Sequence, residues 1–378
     1  MKFIHLSDLH IGKRVNDFSM LEDQKYILEK IADIVKEEKA DAVIIAGDIY
    51  DKSVPPAEAV RVFDDFLNTL TESVKSVYMI NGNHDSAERV AFGARQMEKG
   101  GVFIAPVFDG EMKRYTEKDE YGNINLYLLP YIKPVNVRPF FEEGVVTDTY
   151  SAVKAVIDKT SIDKSERNII VSHQFITGAE RSESEEVYVG GSDNVKAEVF
   201  DDFDYVALGH LHRPQHIARK EVRYCGTPLK YSFSEADHNK SVTVVEMKEK
   251  GNIEIKTIPL VPLRDMRRLK GTYEYLTEKK NYEGTNVEDY LHITLLDEEE
   301  VYDAIGRLRS IYPNIMRIDY ENRRTSADND IGTVDVGSSK SAIELFEELF
   351  RLQNNRDFTD SQRELCAEII EEIWEVAK

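Results

Sequence analysis

Cysteine is scarce in this 378-residue chain, and long apolar runs are missing. The two cysteines, Cys225 and Cys366, lie far apart in sequence, so no disulfide framework is indicated and a reducing compartment is expected. No apolar run approaches the ~20 residues that span a bilayer, which excludes a membrane helix. The opening MKFIHLSDLH enters a strand-like segment without a signal-peptide core, so a cytoplasmic location is the expectation. Positive charge is also in deficit: 49 Lys and Arg stand against 70 Asp and Glu, a net charge of -21. A free-standing nucleic-acid binder is usually basic, because phosphate neutralisation supplies much of its affinity. If nucleic acid is the substrate, a local patch or a borrowed surface must overcome that repulsion.

The length predicts two or three domains. Up to residue 262, apolar runs alternate with stretches of helical period. The runs are KFIHLSD (2–8), DAVIIAGD (41–48), SVYMINGN (76–83), NLYLLPYI (125–132), RNIIVSHQF (167–175) and DYVALGH (204–210). Ile27, Ile31, Ile34 and Val35 recur at helical spacing, and Pro55-Pro56 opens a second helix with Val60, Phe63 and Leu67 on one face. Strand alternating with helix implies an α/β core. From 263 to 335 the order of runs reads as a small α+β domain, opening on the basic stretch LRDMRRLKG (263–271) and closing on the turn-rich segment 322–339. In the tail, 336–378, two helical patterns carry Ile343, Leu345, Phe346, Leu349 and Phe350, then Leu365, Ile369, Ile370, Ile373 and Trp374. A helical pair this short cannot bury so many large apolar groups on itself, so docking onto a partner is expected.

Five of the strand-like runs end in ligand-type residues. They supply Asp8 and His10, then Gly47-Asp48, then Gly82-Asn83-His84-Asp85, then His173, then His210 and His212. Sites in open α/β sheets form at the carboxyl ends of strands. Two carboxylates, one amide oxygen and four imidazoles are too many ligands for one ion with an open position, and they suit two. Asp48, set after a glycine, is the natural bridge. The mixed oxygen and nitrogen set fits Mn²⁺, Fe²⁺, Co²⁺ or Zn²⁺. Two such ions activate a shared water and stabilise both oxygens of a phosphoryl displacement. His84 is the candidate proton donor, with Asp85 either its orienting partner or a helix N-cap.

Those five blocks, in this order, resemble the calcineurin-like metallophosphoesterases. Within them, MKFIHLSDLHIGK, IIAGDIYDKSVPPAEAV and YCGTPLKYSFSEADHNKSV (224–242) are similar to the nuclease subunits of bacterial SbcCD-type complexes. The resemblance implies a four-layer α/β/β/α sandwich over 1–262, a capping, DNA-contacting domain over 263–335, and C-terminal helices, 336–378, that dock onto an SbcC-type ABC ATPase with a long coiled coil. It implies that Asp8, His10, Asp48 and His212 bind one ion, that Asp48, Asn83, His173 and His210 bind the other, and that His84 is catalytic. It also implies a Mn²⁺-dependent 3′→5′ exonuclease on duplex ends and an endonuclease on single strands and hairpins. That enzyme would be a homodimer within a heterotetramer, serving DNA repair, recombination and replication. A metallophosphoesterase for small substrates and a metal-free scaffold remain the competing readings. His5, His216, His238 and His292 are expected to be structural or surface residues. The cluster Arg264, Arg267, Arg268 and Lys270 is either a phosphate-facing patch or boundary charge.

Overall fold

The computed structural model describes residues 1–105, 107–182, 184–185, 194–322, 343–344, 346–347, 350–351 and 358–376. The chain divides into two compact units, Met1–Asp265 and Met266–Lys378. Most of segment 322–339, together with Leu345 and Leu349, lies outside the described residues.

In the first unit two six-stranded sheets face each other. One runs in the order Ile253–Pro259, Ser241–Met247, Lys2–Leu6, Ala42–Ala46, Ser76–Ile80, Val102–Ile104; the last four strands are mutually parallel. The other runs Gln215–Ile217, Arg219–Tyr224, Tyr205–Gly209, Arg167–His173, Gly122–Leu129, Lys113–Asp119, with its four inner strands parallel. Alternate side chains meet between the sheets: Phe3, Ile44, Tyr78 and Ile80 pack against Leu126, Leu128, Ile169, Val171 and Tyr205. The intervening residues, such as Ile4, Leu6, Val43 and Ile45, bury the opposite face. There the helices Leu21–Glu38 and Ala57–Thr71 bury Ile27, Ile31, Val35, Phe63, Leu67 and Leu70. On the far side of the second sheet, Val153 and Val156 of the helix Thr149–Lys159 join Tyr127, Ile170 and Val206. The result is helix, sheet, sheet, helix.

His5 belongs to the layer between the sheets, its Nδ1 3.0 Å from the Tyr205 hydroxyl. Val60 departs from the predicted helical face. It is exposed, because the buried stripe runs through Ala59, Phe63, Phe66, Leu67 and Leu70.

The second unit contains a parallel three-stranded sheet, Met266–Gly271, Tyr290–Leu295 and Ile315–Tyr320, with the helix Ala304–Arg309 packed on it through Ala304 and Leu308. The basic stretch 263–271 is therefore mostly an edge strand. Arg267 pairs with Asp289 at 2.5 Å and Lys270 with Glu321 at 2.6 Å. In the first unit Arg264 pairs with Glu22 at 2.7 Å and Asp23 at 2.8 Å. Arg264, Arg267 and Lys270 are thus each compensated by a carboxylate. The second tail pattern forms the helix Asp360–Val376. Among the described residues no helix is long and apolar enough to cross a membrane.

Candidate metal centre

The parallel strands of the two sheets bring their carboxyl ends together. A Cβ on Gly209 would lie 1.9 Å from the Ala46 carbonyl oxygen, and one on Gly82 would lie 2.1 Å from Asp48 Oδ1. Only glycine allows these strand ends to touch. Immediately beyond them the chain adopts left-handed backbone at Asp8 (φ 53°), His10 (φ 45°), Asp48 (φ 50°) and His210 (φ 102°). Such strain in non-glycine residues persists only where the surroundings over-determine it. Here they do. Asp8 N–H donates to Gly47 O and His10 N–H to Asp48 O, each at 3.0 Å. Gln24 donates to His10 O at 2.7 Å, and the Tyr231 hydroxyl donates to Leu9 O at 2.6 Å.

Asp8, His10, Asp48, His173, His210 and His212 are buried and Asn83 half-buried, and the structure brings all seven around one point. Asp48 belongs to two groups whose ligand atoms lie within 4.8 Å of one another, one with His10 and His84, the other with Asp8 and His173. Its Oδ2 is 3.3 Å from His173 Nε2 and 3.7 Å from His10 Nε2. His173 Nδ1 donates to the Ala46 carbonyl at 2.8 Å, which turns Nε2 toward Asn83 Oδ1 at 3.1 Å. Asn83 Oδ1 also lies 3.0 Å from His210 Nδ1. The His210 main-chain N–H donates to both Asp8 oxygens, at 3.0 and 3.2 Å. The His10 ring stands 5.1 Å from that of His212 and 4.8 Å from that of His84.

The electrostatics suit cation binding. Burial holds the imidazole of His10 well below its ordinary range and that of His210 at about 3, so both are neutral. Among the described residues, neither ring nitrogen of buried His10 has a hydrogen-bond partner. An orphaned neutral imidazole beside two carboxylates is a donor set made for a divalent cation. Burial pushes Asp8 up to about 6 against the pull of His173. Burial opposes ionisation of Asp48 as well, but His173, His10 and His84 together outweigh it and keep that carboxyl below the usual range. Burial likewise disfavours a charged His173, yet the Asp48 carboxylate raises it to about 9.

His84 N–H donates to Asp48 Oδ1 at 2.9 Å, and its Nδ1 lies 3.1 Å from the Asp51 carbonyl oxygen. With Nδ1–H donated there, Nε2 is the nitrogen left for proton transfer. Asp85 has neither of the roles expected for it. Ser86 caps the short helix Ala87–Val90, and the Asp85 carboxylate instead accepts from the main-chain N–H of Gly82, Ile49 and Tyr50 at 2.9, 3.1 and 2.9 Å. It clamps the Asp48 turn to the Asn83 turn. Glu185, Glu235 and Lys240, which surround His212, were also missed. The only signal for the last two is their place in the segment 224–242, and for Glu185 there is none. Lys13 is paired with Asp51 at 2.7 Å and Arg213 with Glu180, so neither is an uncompensated cation beside the site.

The sequence profile described as calcineurin-like phosphoesterase matches residues 1–214, and that described as type 5 capsule protein repressor C-terminal domain matches residues 262–354. The chain is 36% identical over 322 residues to the D subunit of nuclease SbcCD from Staphylococcus saprophyticus, covering 84% of each chain. Among solved structures, a dimetal phosphatase from Danio rerio aligns with 69% of this chain and 96% of its own at 13% identity and a TM-score of 0.40. The protein TT1561 of Thermus thermophilus aligns with 68% of this chain and 98% of its own at 12% identity and a TM-score of 0.38.

Proposed function

Because this chain belongs to the calcineurin-like phosphoesterases and, within them, to the SbcD nuclease subunits, it is a phosphodiester hydrolase, and we propose that it cleaves DNA at a two-cation centre. In this reading Asp8, His10, Asp48 and His212 hold one divalent ion, and Asp48, Asn83, His173 and His210 hold the other, with Mn²⁺ the working metal. The observation that carries it is Asp48, one carboxylate shared by two clusters of ligand atoms. Bound dications supply an activated water and charge compensation on the phosphate oxygens. The chain supplies the rest. Asp48 would be shared, Asp8 and the imidazoles would fix the two positions, and His84 holds a proton at Nε2 for the departing oxygen, with Nδ1 anchored on the Asp51 carbonyl.

The reaction includes 3′→5′ exonuclease action on duplex ends and endonuclease action on single strands and hairpins. The chain works as a homodimer within a heterotetramer whose other subunit is a coiled-coil ABC ATPase gripped by the C-terminal helices. Region 263–335 caps the site and touches DNA. Exposed Phe346, Leu365 and Ile369 support the docking role. A net charge of -21 supports a DNA-binding surface shared with a partner.

The test is cleavage of end-labelled duplex DNA by the metal-stripped protein with and without Mn²⁺. Asp48→Asn and His84→Gln should each lose at least about 100-fold, the lower range for removing an acid–base group, while keeping the wild-type melting profile. Wild-type turnover by either variant would sink the assignment. Hydrolysis of a chromogenic diester without duplex cleavage would favour a small-substrate enzyme.

A further inference from the structure

Within segment 224–242, Tyr231 packs on the His10 ring at 5.8 Å, and the turns to either side of it close on His212. A Cβ on Gly226 would lie 2.7 Å from the His212 carbonyl oxygen, so glycine is what lets this segment press against it. The Thr227 N–H donates to that carbonyl at 3.2 Å, and the buried Lys240 ammonium donates to it at 2.8 Å. The other Lys240 donors go to Thr227 Oγ1 at 2.6 Å and Glu235 Oε2 at 2.5 Å. Glu235, wholly buried on the turn Phe233–Glu235, has its Oε1 3.0 Å from His212 Nδ1 and accepts from Ser184 Oγ at 2.6 Å. Glu185 accepts from the His212 main-chain N–H at 2.7 Å. One imidazole is thus held at its ring, its amide and its carbonyl by three charged side chains.

A buried ion pair is weak evidence for stability, since an apolar pair of similar volume often serves as well or better. What an apolar pair cannot do is accept a hydrogen bond from Nδ1. We propose that Glu235, neutralised by Lys240, is a positioning residue that fixes His212 in the Nδ1–H tautomer and aims its Nε2 at the metal centre. The inference rests on the two-cation reading above.

The full chain, stripped with a chelator, is titrated calorimetrically with Mn²⁺ and melted in parallel. Glu235→Leu/Lys240→Met, made like the next variant with Ser184→Ala because that hydroxyl also lies 3.0 Å from His212 Nδ1, removes both acceptors and both charges together. It should melt within a few degrees of wild type without metal, yet bind one of two Mn²⁺ ions about 10–100-fold more weakly. Glu235→Gln/Lys240→Met restores an amide oxygen at Nδ1 and should recover most of that loss. Wild-type affinities at both sites in the Leu/Met variant, or a Gln/Met variant no better than it, would overturn the proposal. Wild type binding fewer than two ions would remove the two-cation reading and this inference with it, an outcome distinct from two ions bound indifferently by all variants. If the Leu/Met variant does not fold, ¹⁵N-histidine spectra of the Zn²⁺-loaded wild type decide, with His212 assigned through His212→Ala. A proton on Nδ1 supports the role, and one on Nε2 refutes it.

Discussion

At the scale of single residues, the proposed centre is built from conformations the chain would not adopt by itself. Left-handed Asp8, His10, Asp48 and His210 follow directly on buried strands, and glycines at 82 and 209 admit backbone or carboxylate where a Cβ would collide. Gly209→Ala must displace the Ala46 carbonyl and should cost about 3–5 kcal/mol in urea denaturation, among the largest single-residue effects. Gly93→Ala, at φ +75° with nothing near its Cβ position, should cost only about 1 kcal/mol. Equal losses would refute the collision argument. The titration of the site gives a second prediction. In metal-stripped protein His173 stays protonated to about 9 and Asp8 to about 6, and both must lose that proton to ligate. Mn²⁺ binding at pH 7 should therefore release about one proton, the His173 proton, and affinity should fall tenfold per pH unit from 9 toward 6, more steeply below. Calorimetry in buffers of different ionisation enthalpy measures the release; none at pH 7 would contradict it. The stability of the stripped protein follows the same sign. The His173 contribution is complete below its unfolded value near 6.5 and is lost as pH rises through about 9.

At the scale of elements, the buried parallel strands were legible because nearly every residue in them is apolar. The strands Lys113–Asp119, Arg219–Tyr224 and Ile253–Pro259 were not. They carry charge on their exposed residues, and KRYTEKD reads as loop until its alternation is paired with Gly122–Leu129. The Pro56 boundary was readable from composition alone, as were Phe63 and Leu67 on the buried face of the helix it opens, whereas Val60, expected on that face, is exposed. The C-terminal helix keeps Leu365 and Ile369 exposed at a four-residue spacing, on one face. Leu365→Asp/Ile369→Asp should leave unfolding within about 0.5 kcal/mol of wild type, as surface changes do, while ending capture of the proposed ATPase partner. Deletion of 340–378 should also end capture and leave weak metal-dependent activity. Retained co-purification in either case would count against docking.

At the scale of the whole molecule, an acidic chain has to cut an acidic polymer. Each phosphate neutralised contributes about −0.9 to the slope of log affinity against log salt, so the isolated chain should bind duplex DNA with a shallow slope and an assembly with the proposed ATPase partner with a steeper one. Equal slopes in a salt series would mean that the partner contributes no cationic surface. The residues proposed as ligands, their order and their positions at strand ends were determined by the sequence alone, because strand runs and two-residue spacings are local properties. Tertiary structure alone decided that Asp85 clamps two turns and that Glu235 and Lys240 meet at His212. Each of these joins residues brought close only when distant strands and turns pack, and no local pattern in a sequence encodes that distance.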